Sequence, residues 1–438
     1  MNWITLILVL LALAIVFRLG LLAYAVYTVT GIVILGRWLA RHAADSITAK
    51  RECERLTAEI GDRVAVEITV KNTSSLPIPW VLVEDLLPHE ALWHNPPALQ
   101  LRGRRTALFR LAGHATRYLR YELQPHRRGY YQIGPVVMET GDVFGLHRRY
   151  RLLSKPHFLL VYPKVIPLQG YDIASRRPVG EVRLVHRLFE DVTRMYGVRD
   201  YQPGDRLNQI HWPATARTGK LQTKVFEPSC VAGATLLLDF HQDAYDRRFE
   251  PYRSELAITA AASLAHALYE WGQQVGLVTN GRDAADRIRL EGWTYDLRSR
   301  NAAFRTGAML PRSERLRPVI IATRKGPDVL REIRNTLARL ELTDGLRLEE
   351  LIAETRGQLP RDASVIALVS RPSEAAILAL RSLAEQGFAV TVLVSIYEED
   401  EYAEVAGKLI AQRLHVRQLR DEQALGSLCR EAVLPMAG

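Results

Sequence analysis

Hydrophobic patterning divides the chain into three unlike parts. Residues 3–35 are almost continuously apolar, with Arg18 as the one charged interruption. Residues 63–70 and 116–123 alternate polar and apolar side chains, which is the period of a half-buried strand. From residue 231 onward, short apolar runs alternate with segments of helical pattern. We therefore predict an apolar N-terminal segment, a region of strands and an α/β region.

The apolar N-terminal segment divides at Arg18 into two runs. Each is rather short for a membrane span, which needs about 20 residues with a range of about 17–25. Read as two helices, residues 1–40 form a transmembrane hairpin with Trp3 and Trp38 at one interface. Arg18 alone lies in the turn, whereas five basic residues follow the second run. They are Arg37, Arg41, Lys50, Arg51 and Arg55.

This charge asymmetry predicts the topology. By the positive-inside rule, both termini and the soluble domains lie in the cytoplasm, on the inner (plasma) membrane, with membrane lipids as partners. A cleaved signal peptide is the alternative reading of the same residues. It is disfavoured because the segment lacks a charged n-region and because its apolar pattern continues beyond the nominal cleavage site.

Strand patterns dominate the next part of the chain. Several alternating runs separated by Gly- and Pro-rich breaks predict an all-β, sandwich-like domain over residues 59–165, either an immunoglobulin-like sandwich or a small barrel. Residues 41–58 carry the mixed charges of a solvated segment, so we expect a juxtamembrane linker there.

Residues 231–420 show the alternation of an α/β domain. Buried parallel strands are typically short apolar runs separated by helices. The predicted strands are 234–240, 274–279, 365–369 and 390–394. This alternation predicts a doubly wound parallel sheet. Residues 166–230 are predicted as a linker with a turn-rich motif, and residues 421–438 as a C-terminal tail.

The turn-rich motif is the densest group of special residues in the chain. Pro203 fixes φ and Gly204 permits a positive φ, so residues 201–205 predict a tight turn. Trp212 and Arg217 carry large, directional side chains that need partners when buried. We expect them to lock the motif onto the sheet domain. The candidate interaction residues are Tyr201, Pro203, Gly204, Asp205, Ile210, Trp212, Ala216 and Arg217.

The order Tyr-x-Pro-Gly-Asp, Ile-x-Trp, Ala-Arg resembles the signature of the bacterial domain-of-unknown-function family fifty-eight. Residues 128–135 and 142–146 are similar to that family's RGxYxxGP and DxFGL stretch, and residues 72–79 to a loop of its β-rich domain. The resemblance covers residues 1–395. It implies a membrane-anchored protein with a von Willebrand factor A-like domain that works with a MoxR-type AAA+ ATPase. Asn208 departs from the pattern, since many members have arginine there.

The von Willebrand factor A resemblance raises the question of a metal site. Such domains often bind a divalent cation through Asp-x-Ser-x-Ser, because hard cations require several oxygen ligands. This chain has Asp239, His241 and Asp243 in those places, so both serines are replaced. Arg371 near the same sheet edge opposes a cation. We predict a degenerate site with no metal and no cofactor, in which Asp239 bonds across the carboxyl edge of the sheet.

The sequence contains none of three common catalytic motifs. It has no Gly-x-Ser-x-Gly elbow, no Walker loop and no His-Glu-x-x-His. We therefore expect a non-enzymatic scaffold or adaptor for assembly or maturation of protein complexes or the cell envelope. The alternative is an envelope-related enzyme in which Asp205 orients the imidazole of His211 near Arg217, because a carboxylate is able to orient and charge an imidazole.

Charge and cysteine content restrict the possible binding partners and the cellular compartment. The formal net charge is +10, which suits anionic headgroups or an acidic partner. No helix-turn-helix, zinc-finger or base-stacking motif accompanies the basic runs, so nucleic acid is not a predicted partner. The three cysteines are widely spaced, without the pattern of a zinc site or a disulfide framework, which suits a reducing compartment.

Overall fold

The computed structural model describes residues 20–88, 91–92, 96–143, 145–168, 190–200, 210–228, 233–285, 316–361 and 363–427. The described chain is mixed α/β and separates into two compact units. The first unit holds the described parts of residues 20–162 and residues 284–285, and the second holds the described parts of residues 163–283 and 316–427.

A long helix, α1 (Gly20–Ser46), opens the described chain. Within it, Ala23–Ser46 is long and apolar enough to cross a membrane. Its large exposed side chains are Leu21, Tyr24, Tyr27, Val29, Ile32, Ile34, Leu35 and Trp38. The helix covers the second half of the predicted hairpin. The first half, residues 1–19, lies outside the described residues.

Eleven strands follow α1 among the described residues of the first unit. They are β1 (Ile47–Cys53), β2 (Thr57–Ala58), β3 (Val64–Asn72), β4 (Ile78–Asp85), β5 (Leu99–Gly103), β6 (Thr106–Leu111), β7 (Thr116–Pro125), β8 (Gly129–Ile133), β9 (Val136–Gly141), β10 (Arg148–Ser154) and β11 (His157–Val161). Two antiparallel sheets have the orders β1-β3-β7-β5 and β10-β9-β4-β6, and a third has the order β2-β11-β8.

The core of the first unit lies between these sheets. Alternate residues of β3, including Val66 and Ile68, are buried, as the period of two along this strand predicts. They share one hydrophobic cluster with Val81 and Val83 of β4 and Met138 of β9. The prediction of a strand-rich domain here is therefore confirmed.

The predicted linker over residues 41–58 is wrong. Helix α1 runs to Ser46, and β1 begins at the next residue, Ile47. The mixed charges that suggested a linker alternate along β1. Lys50 and Glu52 are exposed and pair with each other, whereas Arg51 points inward. A sequence of charges does not reveal which of them face the core.

Arg51 is the centre of a buried polar network. Its Nε and Nη2 donate to the two carboxylate oxygens of Asp85 at 3.0 and 2.9 Å, and both side chains are fully buried. Tyr121 Oη donates to the same carboxylate at 2.6 Å, and Arg51 Nη1 donates to the carbonyl of Ile133 at 2.6 Å. Burial raises the pKa of Asp85, and the adjacent guanidinium opposes that shift. Gly134, at φ 87, leaves room for the guanidinium, since a Cβ there would meet Nη2 at 1.9 Å.

The second unit begins with a hairpin and continues with a larger sheet and its helices. Its elements are β12 (Glu190–Asp200), α2 (Trp212–Thr218), β13 (Gln222–Pro228), β14 (Gly233–Leu238), α3 (Tyr252–Glu270), β15 (Gln274–Thr279), β16 (Arg282–Asp283), β17 (Val319–Arg324), α4 (Pro327–Arg339), β18 (Leu340–Glu341), α5 (Leu348–Thr355), β19 (Ser364–Val369), α6 (Glu374–Glu385), β20 (Val390–Val394), α7 (Glu399–Ala411), β21 (His415–Gln418) and α8 (Glu422–Ser427).

The larger sheet has the order β17-β15-β14-β19-β20-β21. Counted along the chain within this sheet, the strands run 3-2-1-4-5-6, which is an order of doubly wound sheets. Strand β17 is antiparallel to β15, while the other neighbours are parallel. The predicted all-parallel sheet is therefore wrong at this edge, where an antiparallel strand is common. Strand β17 begins with four consecutive apolar residues, and such a run does not give the direction of the strand.

Helices cover both faces of the larger sheet. Helices α3 and α4 pack against Leu236, Leu238 and Leu277 in one cluster. Helices α5, α6 and α7 pack against Leu237 and Val278, which alternate with those residues, in a second cluster. The α/β prediction for this part of the chain is confirmed.

Two boundaries differ from prediction in the second unit. Residues 166–230 were expected to be a linker, but Ile166 and Leu168 pack against the core, and β12 pairs with β13. Residues 421–438 were expected to be a tail, but α8 carries Leu425, which is fully buried in the same core. The domain therefore extends beyond both predicted ends.

Candidate functional site

The described part of the sequence motif forms a short helix on a two-stranded hairpin. We call α2 (Trp212–Thr218) the signature helix. Ile210, just before it, is buried and bridges Thr223 of β13. The backbone N–H of His211 donates to the carbonyl of Gln222 at 2.7 Å, and the hydroxyl of Thr215 accepts from the N–H of Gln222 at 3.0 Å. These backbone contacts and the hydrogen bond to Thr215 hold the signature helix to the hairpin.

His211 caps the signature helix. Its Nδ1 accepts from the backbone N–H of Ala214 at 3.0 Å, which satisfies one of the free donors of the first turn. Pro213 follows within the first turn, and the helix ends at Gly219 with φ 68, a position at which glycine avoids strain. The neutral imidazole must then carry its proton on Nε2. Sequence reasoning did not predict this capping role, because histidine is not among the preferred N-cap residues.

Most side chains of the signature helix face solvent. Trp212 is 65% exposed, and the helix has no buried residue. The expectation that Trp212 and Arg217 lock the motif onto the sheet domain is therefore wrong for these residues, and Ala216 is exposed as well. The helix is too short to bury a face of its own. It is held to the hairpin by the backbone of the residue before it, His211, and by the side chain of Thr215.

The other half of the motif is not part of the described chain. Tyr201, Pro203, Gly204 and Asp205 lie outside the described residues. The predicted turn and the hypothetical pairing of Asp205 with His211 lie outside them too. Ile210, Trp212, Ala216 and Arg217 are the candidate residues that the structure places.

The second candidate region is the carboxyl edge of the larger sheet. Asp239 follows β14 and is 3% exposed. Its Oδ1 accepts from Asn280 Nδ2 at 2.9 Å and from the backbone N–H of His241 at 3.2 Å. Asn280 follows β15, so this bond ties the ends of two neighbouring strands. Burial raises the pKa of Asp239, and the bond from Asn280 opposes that shift. Asp239 thus has the bonding role that the sequence favoured.

His241 and Asp243 do not converge with Asp239 on one point. His241 Nδ1 accepts from the backbone N–H of Asp243 at 3.2 Å and caps the short turn that follows. The side chain of Asp243 is 64% exposed. Within the described residues, no group of three or more His, Cys, Asp and Glu side chains is placed to hold a metal ion.

Arg371 adds a positive charge near this edge. Its Nη2 lies 3.0 Å from Asp246 Oδ2, and its Nε pairs with Glu401. The hydrogen bond that Arg371 donates to Glu401 raises the pKa of Arg371. Arg371 follows β19, the strand next to β14, and its backbone N–H donates to the carbonyl of Ala244 at 3.1 Å.

A known family matches the part of the chain that holds the signature helix and Asp239. The family model described as "Protein of unknown function DUF58" matches residues 197–291. Residues 197–291 are thus similar to the DUF58 family. The "Uncharacterized protein YeaD" of Bacillus subtilis (strain 168) is 27% identical over 261 residues, which are 59% of this chain and 62% of that protein. The match thus spans less than two thirds of that relative's length.

Solved structures add little to the DUF58 match. The CARDB domain of the PF1109 protein from Pyrococcus furiosus is 14% identical, with a TM-score of 0.17 over 26% of this chain and 91% of that chain. The sporulation control protein Spo0M from Bacillus subtilis is 11% identical, with a TM-score of 0.16 over 26% of this chain and 49% of that chain. Likenesses this distant carry no argument about function.

The DUF58 region also contains a residue that sequence reasoning missed. Asn280 is 3% exposed and uses both ends of its amide. It accepts from the N–H of Phe240 at 2.6 Å and donates to Asp239 and to the carbonyl of Leu346. Its position directly after an apolar strand is the same pattern that drew attention to Asp239. A search for a polar residue near the carboxyl end of each predicted strand of the sheet would have found both Asp239 and Asn280.

Proposed function

We propose that this chain is a membrane-anchored, non-enzymatic adaptor whose signature helix docks a MoxR-type AAA+ ATPase during assembly or maturation of protein complexes or the cell envelope. The observation that carries the proposal is Trp212, 65% exposed on a helix without a buried residue. Exposing the large apolar side chain of tryptophan to water is unfavourable, and tryptophan is enriched among the residues that dominate binding energy.

The charge around Trp212 indicates the kind of surface it fits. Residues 210–222 contain Arg217 and Lys220 and no acidic side chain. Both basic residues are exposed. A complementary partner offers an apolar pocket for the indole with carboxylates around it, since opposite charges steer and orient docking.

The second unit is, in this proposal, a von Willebrand factor A-like domain that acts without a metal ion. The 3-2-1-4-5-6 strand order with helices on both faces supports that assignment. The ion pairs of Arg371 and the bond between Asp239 and Asn280 support a carboxyl edge that is closed by protein contacts.

The anchor is, in this proposal, the two-pass hairpin with both termini in the cytoplasm. The apolar helix α1 supports an anchor, and the basic residues Arg37 and Arg41 at its C-terminal end support the orientation.

The test measures recovery of the MoxR-type ATPase with the full-length protein purified from solubilised membranes of the native bacterium. We expect Trp212→Ala and Arg217→Glu each to lower that recovery several-fold. The melting temperature should barely move, because exposed substitutions typically change stability by about 0.5 kcal/mol or less. Tyr269→Ala is the matched control, because Tyr269 is a 37% exposed aromatic on α3. Unchanged recovery with both variants would remove the signature helix from the interface.

His211→Asn separates the adaptor from the enzyme alternative. Asparagine is a preferred N-cap residue, so the variant keeps the cap and removes the imidazole. We expect it to complement a deletion strain as the native protein does. Loss of complementation in a variant that folds and still recovers the ATPase would favour the enzyme that uses Asp205, His211 and Arg217.

A further inference from the structure

Strands β9 and β10 form a hairpin that lies along helix α1. Near the tip of this hairpin, Asp142 lies so close to Gly36 that a Cβ on Gly36 would meet Asp142 Oδ2 at 2.8 Å. Farther back, Arg151 Nη1 donates to the carbonyls of Ala44 and Asp45 at 2.9 and 3.2 Å. The helix and the hairpin therefore touch at two separate levels.

These two levels give the direction of the hairpin. Gly36 and Ala44 lie about 12 Å apart along the axis of α1, at about 1.5 Å per residue. Arg151 pairs with Met138, and Met138 lies about 13 Å from Asp142 along an extended strand, at about 3.3 Å per residue. The matching lengths mean that the hairpin runs beside the helix, with its tip directed toward the helix N-terminus.

The tip stands at the level where α1 would leave a bilayer. Residues 19–36 contain no charged side chain, and Arg37 ends this run. The described part, residues 20–36, is about 25 Å long as a helix, close to the hydrocarbon thickness of about 30 Å. Trp38 is 53% exposed and stacks on His42, as an interfacial tryptophan does. Gly36, which meets the tip, is therefore at the hydrocarbon boundary.

The tip itself is apolar. Val143 is 68% exposed and Leu146 is 62% exposed. The acid beside them, Asp142, is buried, and its carboxylate lies 3.2 Å from the N–H of His147 and 3.4 Å from Nδ1 of the same residue. Arg148 follows the tip, with its side chain 64% exposed and 3.2 Å from Glu139. An apolar tip with basic groups behind it matches the order of acyl chains and anionic headgroups in a membrane surface.

We propose that Val143 and Leu146 form a second membrane contact, in which both side chains enter the boundary between headgroups and acyl chains of an anionic phospholipid bilayer beside α1. This contact would hold the first unit against the lipid surface by a point other than its helix. The inference rests on the membrane anchor of the proposed function and goes beyond it, because it assigns a lipid-binding role to the soluble unit.

The test uses the full-length protein in nanodiscs of phosphatidylcholine and phosphatidylglycerol. An environment-sensitive fluorophore is placed at single engineered cysteines, Val143→Cys or Leu146→Cys, after the three native cysteines are replaced by alanine. Quenching by lipids that carry a nitroxide near the headgroup is measured. A genetically encoded fluorescent amino acid at the same positions serves if Cys53→Ala lowers stability.

Two further label positions complete the design. Leu108→Cys is the matched control, because Leu108 is 66% exposed on β6, at the opposite edge of the sheet that contains β9 and β10. Ile32→Cys reports on insertion of α1 itself. We expect labels at residues 143 and 146 to be quenched several-fold more than the label at residue 108.

The outcomes separate this inference from the anchor on which it rests. Strong quenching at residue 32, with residues 143 and 146 no more quenched than residue 108, would overturn the second contact and leave the anchor in place. A label at residue 32 that is not quenched would remove the anchor and the second contact together.

Discussion

At the residue scale, Arg51 and Asp85 show how hydrogen bonds stabilise a buried ion pair. Removing two charges from water costs several kcal/mol for each ion, and the loss is recovered only when the remaining hydrogen-bonding groups are satisfied. Here the carboxylate accepts from Arg51 and from Tyr121, and the guanidinium also donates to a backbone carbonyl. The network joins β1 to β4 and β7, so it fixes how the two sheets meet.

We expect Arg51→Ala to lower the free energy of unfolding of the first unit by about 3–5 kcal/mol, because it leaves Asp85 buried without its partner. Arg55→Ala is the control. Arg55 pairs with Asp62 at 3.1 Å while 42% of its side chain is exposed, so its loss should cost about 1 kcal/mol or less. Calorimetric unfolding of the full-length protein in detergent measures both. Equal effects of the two variants would show that the buried pair contributes no more than a surface pair.

The same residues show what a sequence does and does not reveal. Lys50, Arg51 and Glu52 look like a solvated linker in the sequence, because charge carries no direction. Trp212 looks like a core residue, because tryptophan is large and apolar. Only the fold decides that Arg51 points inward and Trp212 outward. Asp239 was predictable, since a polar residue at the end of an apolar strand must find partners at the sheet edge.

Gly36 is the critical position at the element scale. Asp142, which it meets, is 2% exposed and held by His147, so a side chain on Gly36 would push the helix away from the hairpin. We expect Gly36→Ile to destabilise the first unit by about 1–3 kcal/mol, the usual cost of overpacking. Gly31→Ile is the matched control on the same helix, since a Cβ there would meet no atom within 4 Å.

Thermal unfolding of both glycine variants in detergent measures the difference. A melting temperature of Gly36→Ile equal to that of Gly31→Ile would mean that the hairpin does not depend on its contact with α1. The comparison holds the substitution and the helix constant, so it isolates the contact with Asp142.

Elements with a clear period were predictable, and those without one were not. The predicted strands over residues 274–279 and 390–394 match β15 and β20, because buried parallel strands are short apolar runs. The hairpin of β12 and β13 was read as linker, since its sequence mixes charges with apolar residues. Strand β17 was missed although its sequence begins with four apolar residues, because it follows a stretch of mixed composition over residues 281–316.

Topology is the prediction that belongs to the whole molecule. We expect a fluorescent protein fused after Gly438 to be active in the cytoplasm, and the protein to remain in membranes through high-salt and alkaline washes. The physical reason is the excess of basic residues after the second apolar run. A fusion before Met1 is the paired measurement, because a two-pass hairpin places both fusions in the cytoplasm.

Alkaline phosphatase fusions at the same two ends give the opposite readout, since that enzyme is active only outside the cytoplasm. Activity at the N-terminal fusion alone would indicate a single pass through the membrane. Activity at the C-terminal fusion would contradict the proposed topology altogether.

The direct passage from α1 into β1 has a consequence for how a partner finds the first unit. With no slack chain between Ser46 and Ile47, the first strand starts about 15 Å beyond Arg37, at about 1.5 Å per helical residue. A flexible tether would let the unit sweep a hemisphere above the bilayer. Under the proposed membrane anchor, this unit would instead diffuse in the membrane plane at a fixed height. A soluble partner would then have to approach that layer, and a membrane-bound partner would meet the unit by lateral collision.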